Sequence, residues 1–287
     1  MSDSATIGSV LITGGAGFFG QHFARRLLDQ RVSDRICILS RNEWNQARMR
    51  QELGDDSRLR WFIGDVRDTQ RLFHAMHRID YVVHAAALKR IEVGRYNPME
   101  MVQTNIIGTM NVVQVAREAG VRRAVLLSSD KAYHPISPYG HTKALAEMLF
   151  MTANGTGSAG ETDFRVTRYG NVAGSTGSII PTLRHLKSRG GRARISSVAA
   201  TRFWMMPHQA VDMVLHTMLQ PNIGPLLIPT LPAFRLLDLL AAMDFHDYDV
   251  VGLPAWEKLH ESMDEHQTSD AAPRLSVDQL REMLRHV

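Results

Sequence analysis

The chain has 287 residues, 44% hydrophobic and 22% charged, the balance of a soluble globular protein with room for a large α/β domain and a smaller lobe. Its 33 basic and 29 acidic side chains leave a scattered net charge of +4, which argues against a nucleic-acid partner. No apolar run is long enough to span a bilayer, and the single cysteine, Cys37, excludes an internal disulfide and fits a reducing compartment. The opening Met-Ser-Asp-Ser-Ala-Thr has neither the basic nor the apolar region of a secretory leader, so a cytoplasmic location is expected.

Through the first half, apolar strands alternate with amphipathic stretches, the pattern of a parallel sheet covered on both faces. Strands are expected at 9–13, 35–39, 59–63, 81–85, 124–128 and 164–168, and helices at 21–30, 69–77, 99–119 and 139–153. Thr69 opens its helix in a capping position after Asp68. Cys37, in an apolar run, reads as a small buried hydrophobe. Residues 154–160, rich in glycine and serine, read as a flexible connection. Beyond residue 175 the pattern loosens and proline recurs, at Pro207, Pro221, Pro225, Pro229, Pro232 and Pro254. The expected fold is a Rossmann-type, doubly wound parallel α/β sheet with a smaller C-terminal substrate lobe. Residues 1–174, with a returning segment near 202–224, are expected to form the larger, Rossmann-type domain, and 175–201 with 225–287 the smaller lobe. The basic run from Lys187 to Arg194 lacks interleaved aromatics and reads as a solvated loop near a diphosphate.

The segment Val10 to Gly20 is a strand, a glycine-rich turn and the start of a helix. Gly14 and Gly17 would let the backbone approach a pyrophosphate, Gly20 would let the helix pack on the strand, and the helix N-terminus would offer free N–H groups to the anion. Phe18 and Phe19 lie in the same turn and join the expected cofactor contacts. After the second strand, Ser40-Arg41-Asn42 stands where an NAD enzyme usually carries a carboxylate, so its donors favour the 2′-phosphate of NADP over NAD. Alternatively, Arg41 only caps a solvent-facing turn. Asp65, followed by Val66, offers a carboxylate to the adenine amino group. Ala85 and Ala86 are small enough for backbone to lie against the cofactor. Asn105 is a candidate for the cofactor side, with a purely structural role equally open.

Tyr139 and Lys143, four residues apart, share a helix face. An ammonium near a phenol favours phenolate and lowers the tyrosine pKa towards working pH. The same lysine can hold a nicotinamide ribose. The pair follows a strand ending in Ser128-Ser129, and Ser129 is placed to hydrogen-bond a substrate hydroxyl. Between them stands Asp130-Lys131, a second acid/base couple at a strand's C-terminal end, where α/β chemistry gathers. The bland alternative for this dyad is a surface ion pair. His84 and the other histidines show no paired ligand spacing, so no metal is assigned.

These segments resemble the extended short-chain dehydrogenase/reductases, and more closely the inverting UDP-N-acetylglucosamine 4,6-dehydratases of polysaccharide biosynthesis. The similarity is carried by Gly64-Asp-Val-Arg-Asp68, His84-Ala-Ala-Ala-Leu-Lys89, Tyr96-Asn-Pro98, Thr104-Asn105, Ser129-Asp-Lys-Ala132, Tyr139-Gly140, Thr142-Lys143, Arg168-Tyr-Gly-Asn-Val172, Thr201-Arg-Phe-Trp204 and Glu257-Lys-Leu-His-Glu261. The resemblance implies oxidation at carbon 4 of a nucleotide sugar, loss of water across carbons 5 and 6, and return of the hydride to carbon 6. It implies that Tyr139 assists oxidation, Asp130 protonates the leaving hydroxyl and Lys131 takes the carbon 5 proton. That last role asks for a lysine pKa lowered by burial beside Lys143. It also implies that Lys89, Asn171, Thr201, Arg202 and Glu257, with Ser129 and Tyr139, contact substrate, although Arg202 reads equally well as structural. Lys89, Ser128, Tyr139 and Lys143 join the cofactor contacts, and the helices at 99–119 and 139–153 imply a homo-oligomer.

Three features depart from the family pattern. Ser129 stands for its threonine, Pro254-Ala255-Trp256 for its Arg-Pro-Gly, and about twenty residues are missing before the last helix. The second departure removes an arginine expected at the diphosphate. Two other readings stay open: a nucleotide-sugar 4-epimerase or oxidoreductase, and a cofactor-binding scaffold without catalysis.

Overall fold

The computed structural model describes residues 6–154 and 161–287, so the expected connection at 154–160 lies, Asn154 apart, outside the described residues. Six strands form where the apolar runs predict them: β1 (Ser9–Thr13), β2 (Arg35–Ser40), β3 (Leu59–Ile63), β4 (Tyr81–His84), β5 (Arg123–Leu127) and β6 (Asp163–Thr167). A seventh, β10 (Leu226–Leu227), completes a parallel sheet of order β10-β6-β5-β4-β1-β2-β3. Parallel registers such as Thr13↔His84, His84↔Leu126 and Leu127↔Thr167 bring the strand C-termini to one edge, where the site lies. Cys37 is buried in β2, and burial pushes its thiol up to about 11, which leaves it inert.

One face of the sheet is covered by α1 (Phe18–Asp29), α2 (Glu43–Leu53) and α9 (Pro207–Leu219), around Phe23, Leu27, Met49 and Val214. The other is covered by α3 (Thr69–Met76), α6 (Gly108–Glu118) and α7 (Pro138–Thr152), around Leu72, Val112 and Phe150. Helix α2 was not expected, because its outward polar sequence has no apolar stripe and buries only Gln46 and Met49. Its start is instead fixed by Asn42, whose side chain accepts from the Asn45 N–H at 3.0 Å. The cap of α3 is Asp68 itself, accepting from the Arg71 N–H at 2.9 Å. The long helix expected at 99–119 comes in pieces after α4 (Ile91–Tyr96): α5 (Pro98–Met101), a π-helical turn at Val102–Ile107, then α6.

The C-terminal lobe contains α8 (Ile179–Ser188), α10 (Leu236–Ala242) and α11 (Val277–Leu284) around Leu183, Trp204, Phe234 and Leu239. Two small sheets complete it. In one, β9 (Thr201–Met205) joins β7 (Asn171–Val172) and β11 (Ala233–Arg235); in the other, β8 (Ala193–Ile195) pairs with β12 (Tyr248–Val250). β9, in the expected return near 202–224, pairs with β7 and β11 and not with the seven-stranded sheet, whereas β10, in the segment expected to form the smaller lobe, pairs with β6 in that sheet. Strands of two to five residues show no period of their own, so only their hydrogen-bond partners assign them.

Candidate active site

The turn after β1 is built for close approach. Gly14 has φ +66°, and a Cβ there would stand 2.8 Å from the backbone of Ala86, so this turn lies directly on the loop leaving β4. Gly17 caps α1 without a side chain, which leaves the first N–H groups of that helix facing the turn. Phe19 stacks on Phe23 with ring centroids 5.5 Å apart, and Phe18 lies 4.5 Å from the His22 ring. A pyrophosphate fits this cradle of bare backbone and helix N-terminus.

At the end of β2 the three expected phosphate donors diverge. The Ser40 hydroxyl accepts from Gln46 at 2.9 Å, and Asn42 caps α2. Arg41 remains exposed, 3.8 Å from Asp65. Asp65 is itself engaged: partial burial raises its pKa, but the Arg67 side chain at 2.7 Å and the Arg67 N–H hold it below the usual carboxylate range. Its neighbour Val66 is buried in the sheet's second face. Asn105 sits in the π-helical turn, a device common at functional sites. Its amide accepts from the Leu88 N–H at 2.7 Å and donates to the Leu88 carbonyl at 2.8 Å and to Thr142 at 3.0 Å. That engagement favours the structural reading of Asn105, a clamp that ties the loop after β4 to α7. His84 is likewise structural, held between the hydroxyls of Thr13 at 2.7 Å and Thr109 at 3.1 Å. Lys89 stands exposed at the end of the loop after β4.

The chemistry-bearing residues do converge. Past β5, Ser129 caps a short 3₁₀ turn, Asp130–Ala132, and donates to Asp130 Oδ1 at 2.8 Å. Asp130 is 1% exposed, so the dyad is no surface ion pair. Its Oδ2 and the Ser128 hydroxyl are buried without a hydrogen-bond partner among the described residues. Burial raises the Asp130 pKa; Lys131, 3.2 Å away, pulls it down without cancelling that effect.

Lys131 departs from expectation. Burial alone would lower its pKa, but the carboxylates of Asp130 and Glu261 outweigh burial and raise it; Glu261 Oε1 lies 2.9 Å from the ammonium. The lysine that burial does lower is Lys143, brought to about 8, with its Nζ on the Leu127 carbonyl at 2.5 Å. Tyr139 also differs. Burial pushes its phenol up to about 12, and the charge that opposes this comes from Lys131, with help from a Ser129 hydrogen bond, rather than from Lys143. Lys143 is aimed at the strand end instead. The helix carrying Tyr139 approaches the 3₁₀ turn through Gly140, where a Cβ would stand 2.4 Å from the Lys131 carbonyl.

The expected substrate contacts split. Asn171 keeps a buried Oδ1 without a partner among the described residues. Arg202 is structural: its guanidinium ion-pairs with Glu257 and donates to the carbonyls of Thr201 at 2.7 Å and Leu259 at 3.1 Å. Thr201 is buried against His260 at 2.8 Å and Ser269 at 2.6 Å. Glu257, half-buried, also faces a cavity of about 500 Å³ lined by Arg194, Ser196, Leu236, Pro254 and Trp256 among others. Arg194 is the one member of the basic run 187–194 on this wall, whereas Arg192 pairs with Asp247 at 2.7 Å. The Arg95 guanidinium lies over the Trp256 ring at 3.6 Å. Sequence reasoning did not single out Glu261 or Arg95 as candidates, and placed Arg194 only within a basic run near a diphosphate. The motif containing Glu261 was visible, but nothing in its spacing says that it reaches Lys131.

A family model described as polysaccharide biosynthesis protein matches residues 10–278. The chain is 40% identical over 257 residues to a UDP-N-acetylglucosamine 4,6-dehydratase (inverting) from Campylobacter jejuni, covering 89% of this chain and 77% of that one. It is 39% identical over 238 residues to a UDP-glucose 4-epimerase from Rickettsia prowazekii, covering 82% and 70%. A crystal structure of DesIV, a dTDP-glucose 4,6-dehydratase from Streptomyces venezuelae with NAD and TYD bound, shares the fold at TM-score 0.82 and 24% identity, covering 96% of each chain. With this fold and these matches, the chain belongs to the polysaccharide biosynthesis protein family of extended short-chain dehydrogenase/reductase enzymes.

Proposed function

We propose that this enzyme is an NADP-dependent nucleotide-sugar 4,6-dehydratase acting on UDP-N-acetylglucosamine with inversion at carbon 5. The observation that carries the reading is the buried Asp130–Lys131 couple beside Tyr139, at the strand ends, in a glycine-turn dinucleotide fold. A dehydrogenase needs only the phenol and Lys143; the second couple serves elimination. The 40% identity to the Campylobacter enzyme supports the substrate.

The residues divide the work as follows. When bound, NADP supplies the hydride acceptor for carbon 4 and the donor for carbon 6. Tyr139 accepts the carbon 4 hydroxyl proton in its phenolate form, which the Lys131 charge and the Ser129 hydrogen bond favour against burial, and Ser129 orients that hydroxyl. The resulting ketone acidifies carbon 5, whose proton Lys131 removes once its own ammonium proton has passed to Asp130, 3.2 Å away. The C–H electron pair forms the bond to carbon 6 as the C–O bond breaks, and Asp130 protonates the leaving oxygen. Asp130's raised pKa suits that donor role. Asn171 and the wall formed by Arg194, Trp256 and Glu257 hold the nucleotide sugar, with Arg194 taking up the diphosphate charge in place of the missing arginine. Arg41, exposed at the end of β2, would take up the 2′-phosphate. The apolar side chains exposed on α5, α6 and α7, Met99, Met110, Leu145 and Met148, pair two copies of the chain.

Incubation with UDP-N-acetylglucosamine and NADP, followed by mass spectrometry, tests the reading: the product should lack one water and no NADPH should accumulate. An unchanged mass across a panel of nucleotide sugars would sink it. The similarity to the Rickettsia protein favours a second reading, 4-epimerisation, which leaves the mass unchanged and alters the NMR couplings at carbon 4.

A further inference from the structure

The cavity of about 500 Å³ beside Glu257 has an uneven wall. Most of it is apolar, from Ile179, Ile195, Leu236, Val251, Leu253 and Pro254. Two of its polar side chains are engaged with each other: the Ser196 hydroxyl donates to Glu257 Oε1 at 3.2 Å, and Glu257 is ion-paired with Arg202. Of the two charged side chains on the wall, that leaves Arg194 to meet a ligand's charge. Trp256 is the aromatic member of the wall, and its ring is held from outside it. Helix α4, which follows the loop after β4, carries Arg95, whose guanidinium lies over one face of the indole at 3.6 Å from the centroid. Arg95 does not itself line the cavity, so the ring offers the cavity the side that Arg95 leaves open. The family pattern has a glycine where Trp256 stands, which makes this aromatic wall a feature of this chain.

The ligand that matches such a wall has a flat body of low polarity and an anionic end, the first for the indole and the aliphatic side chains, the second for Arg194. A nucleoside diphosphate has both. A hexose, all hydroxyls, would leave the apolar wall unmatched and find few free side-chain donors or acceptors there. We infer that Trp256 is the stacking face for the nucleobase of the nucleotide-sugar substrate, and that Arg95 is a positioning residue that holds the indole in place. The inference rests on the reading of this cavity as the wall that holds the nucleotide sugar, but it does not depend on which reaction the sugar then undergoes. It also sets specificity. Stacking uses the π-face that every base has, whereas Ser196 and Glu257, the side chains able to read a base edge, are already occupied with each other and with Arg202. The cavity therefore holds uracil and thymine nucleotides about equally well.

The test is calorimetric binding of UDP, dTDP and pyrophosphate to the full chain saturated with its dinucleotide cofactor. In the wild type, UDP and dTDP should bind within a few-fold of each other. Trp256→Ala should weaken both by about tenfold or more, the usual loss for a stacked base, and leave pyrophosphate unchanged. Trp256→Phe keeps an aromatic face and should retain most of the affinity. Arg95→Ala should weaken UDP a few-fold with pyrophosphate again unmoved, and Arg95→Lys, which keeps a cation over the ring, should recover part of that loss. A merely structural Arg95 would lower the melting temperature without separating the two ligands. If Trp256→Ala does not fold, proton NMR of the wild type decides: bound UDP should show NOEs from uracil H5 and H6 to indole protons that disappear in Trp256→Phe. UDP held as tightly by Trp256→Ala as by the wild type, or the absence of those NOEs, overturns the inference. A wild type that binds UDP through Trp256 yet releases no water from UDP-N-acetylglucosamine overturns only the dehydratase reading.

Discussion

At the scale of single residues, burial sets the reactivity of the site, and it acts oppositely on acids and on lysines. Asp130 is pushed towards its neutral form by burial. Asp130→Asn keeps the shape and the hydrogen bond from Ser129 but cannot give up a proton. Dehydration should fall about 10²–10⁴-fold, as for loss of a general acid, while transient hydride transfer, seen as NADPH absorbance in a single turnover, persists. Lys143 carries a stability cost. Its pKa, lowered from 10.5 to about 8 by burial, means that the folded state disfavours the charged form. That penalty, on the order of 3 kcal/mol, is fully present below pH 8 and disappears as pH rises past the unfolded value. Lys143→Met should therefore be inactive and more resistant to urea at pH 7, with the advantage shrinking by pH 10. A variant less stable at pH 7 would show that the bond to Leu127 outweighs desolvation.

At the scale of elements, the site depends on one contact between α7 and the 3₁₀ turn. Gly140 leaves no room for a methyl group, with the Lys131 carbonyl 2.4 Å from where its Cβ would stand. Gly140→Ala should push the turn from the helix and separate Tyr139 from the Asp130–Lys131 couple. A kcat loss of about 10²-fold or more with little change in nucleotide-sugar affinity is expected, since misplacement of about an ångström has that effect. In the proposed reading, substrate binding falls to another element, the segment 254–261, which runs from the cavity wall at Pro254 and Trp256 to Glu261 on Lys131. Arg194→Ala, on the facing wall, should weaken nucleotide-sugar binding by about tenfold with kcat preserved, as measured by calorimetry and steady-state kinetics.

On the scale of the whole molecule, the two lobes are joined through buried polar contacts as well as apolar packing. Arg168 forms a fork with Glu147 of α7, with Nε at 2.9 Å from Oε1, and also donates to the Met263 carbonyl at 2.5 Å. Arg168→Met would leave Glu147 buried and unpaired, at about 3–5 kcal/mol. Thermal melts should fall, and the C-terminal lobe should exchange its amides faster than the parallel sheet. Unchanged exchange in that lobe would show that apolar packing alone holds it.

The amino-acid sequence by itself determined the parallel sheet, the glycine turn and the placing of Asp130 and Lys131 at a strand end, because these are local: period-two apolar runs, glycines at fixed offsets, and acid/base residues next to each other. All six strands expected in the first half are present, each within one residue at either end. Helix α2 escaped, since a polar helix held by a cap has no periodic signal. Only the tertiary structure decided which lysine has its pKa lowered by burial, that Arg202 and Thr201 are engaged in the scaffold, and that Glu261 closes on Lys131 from 130 positions away in the chain. A pKa is set by everything within a few ångströms, and a sequence lists neighbours along the chain rather than across space.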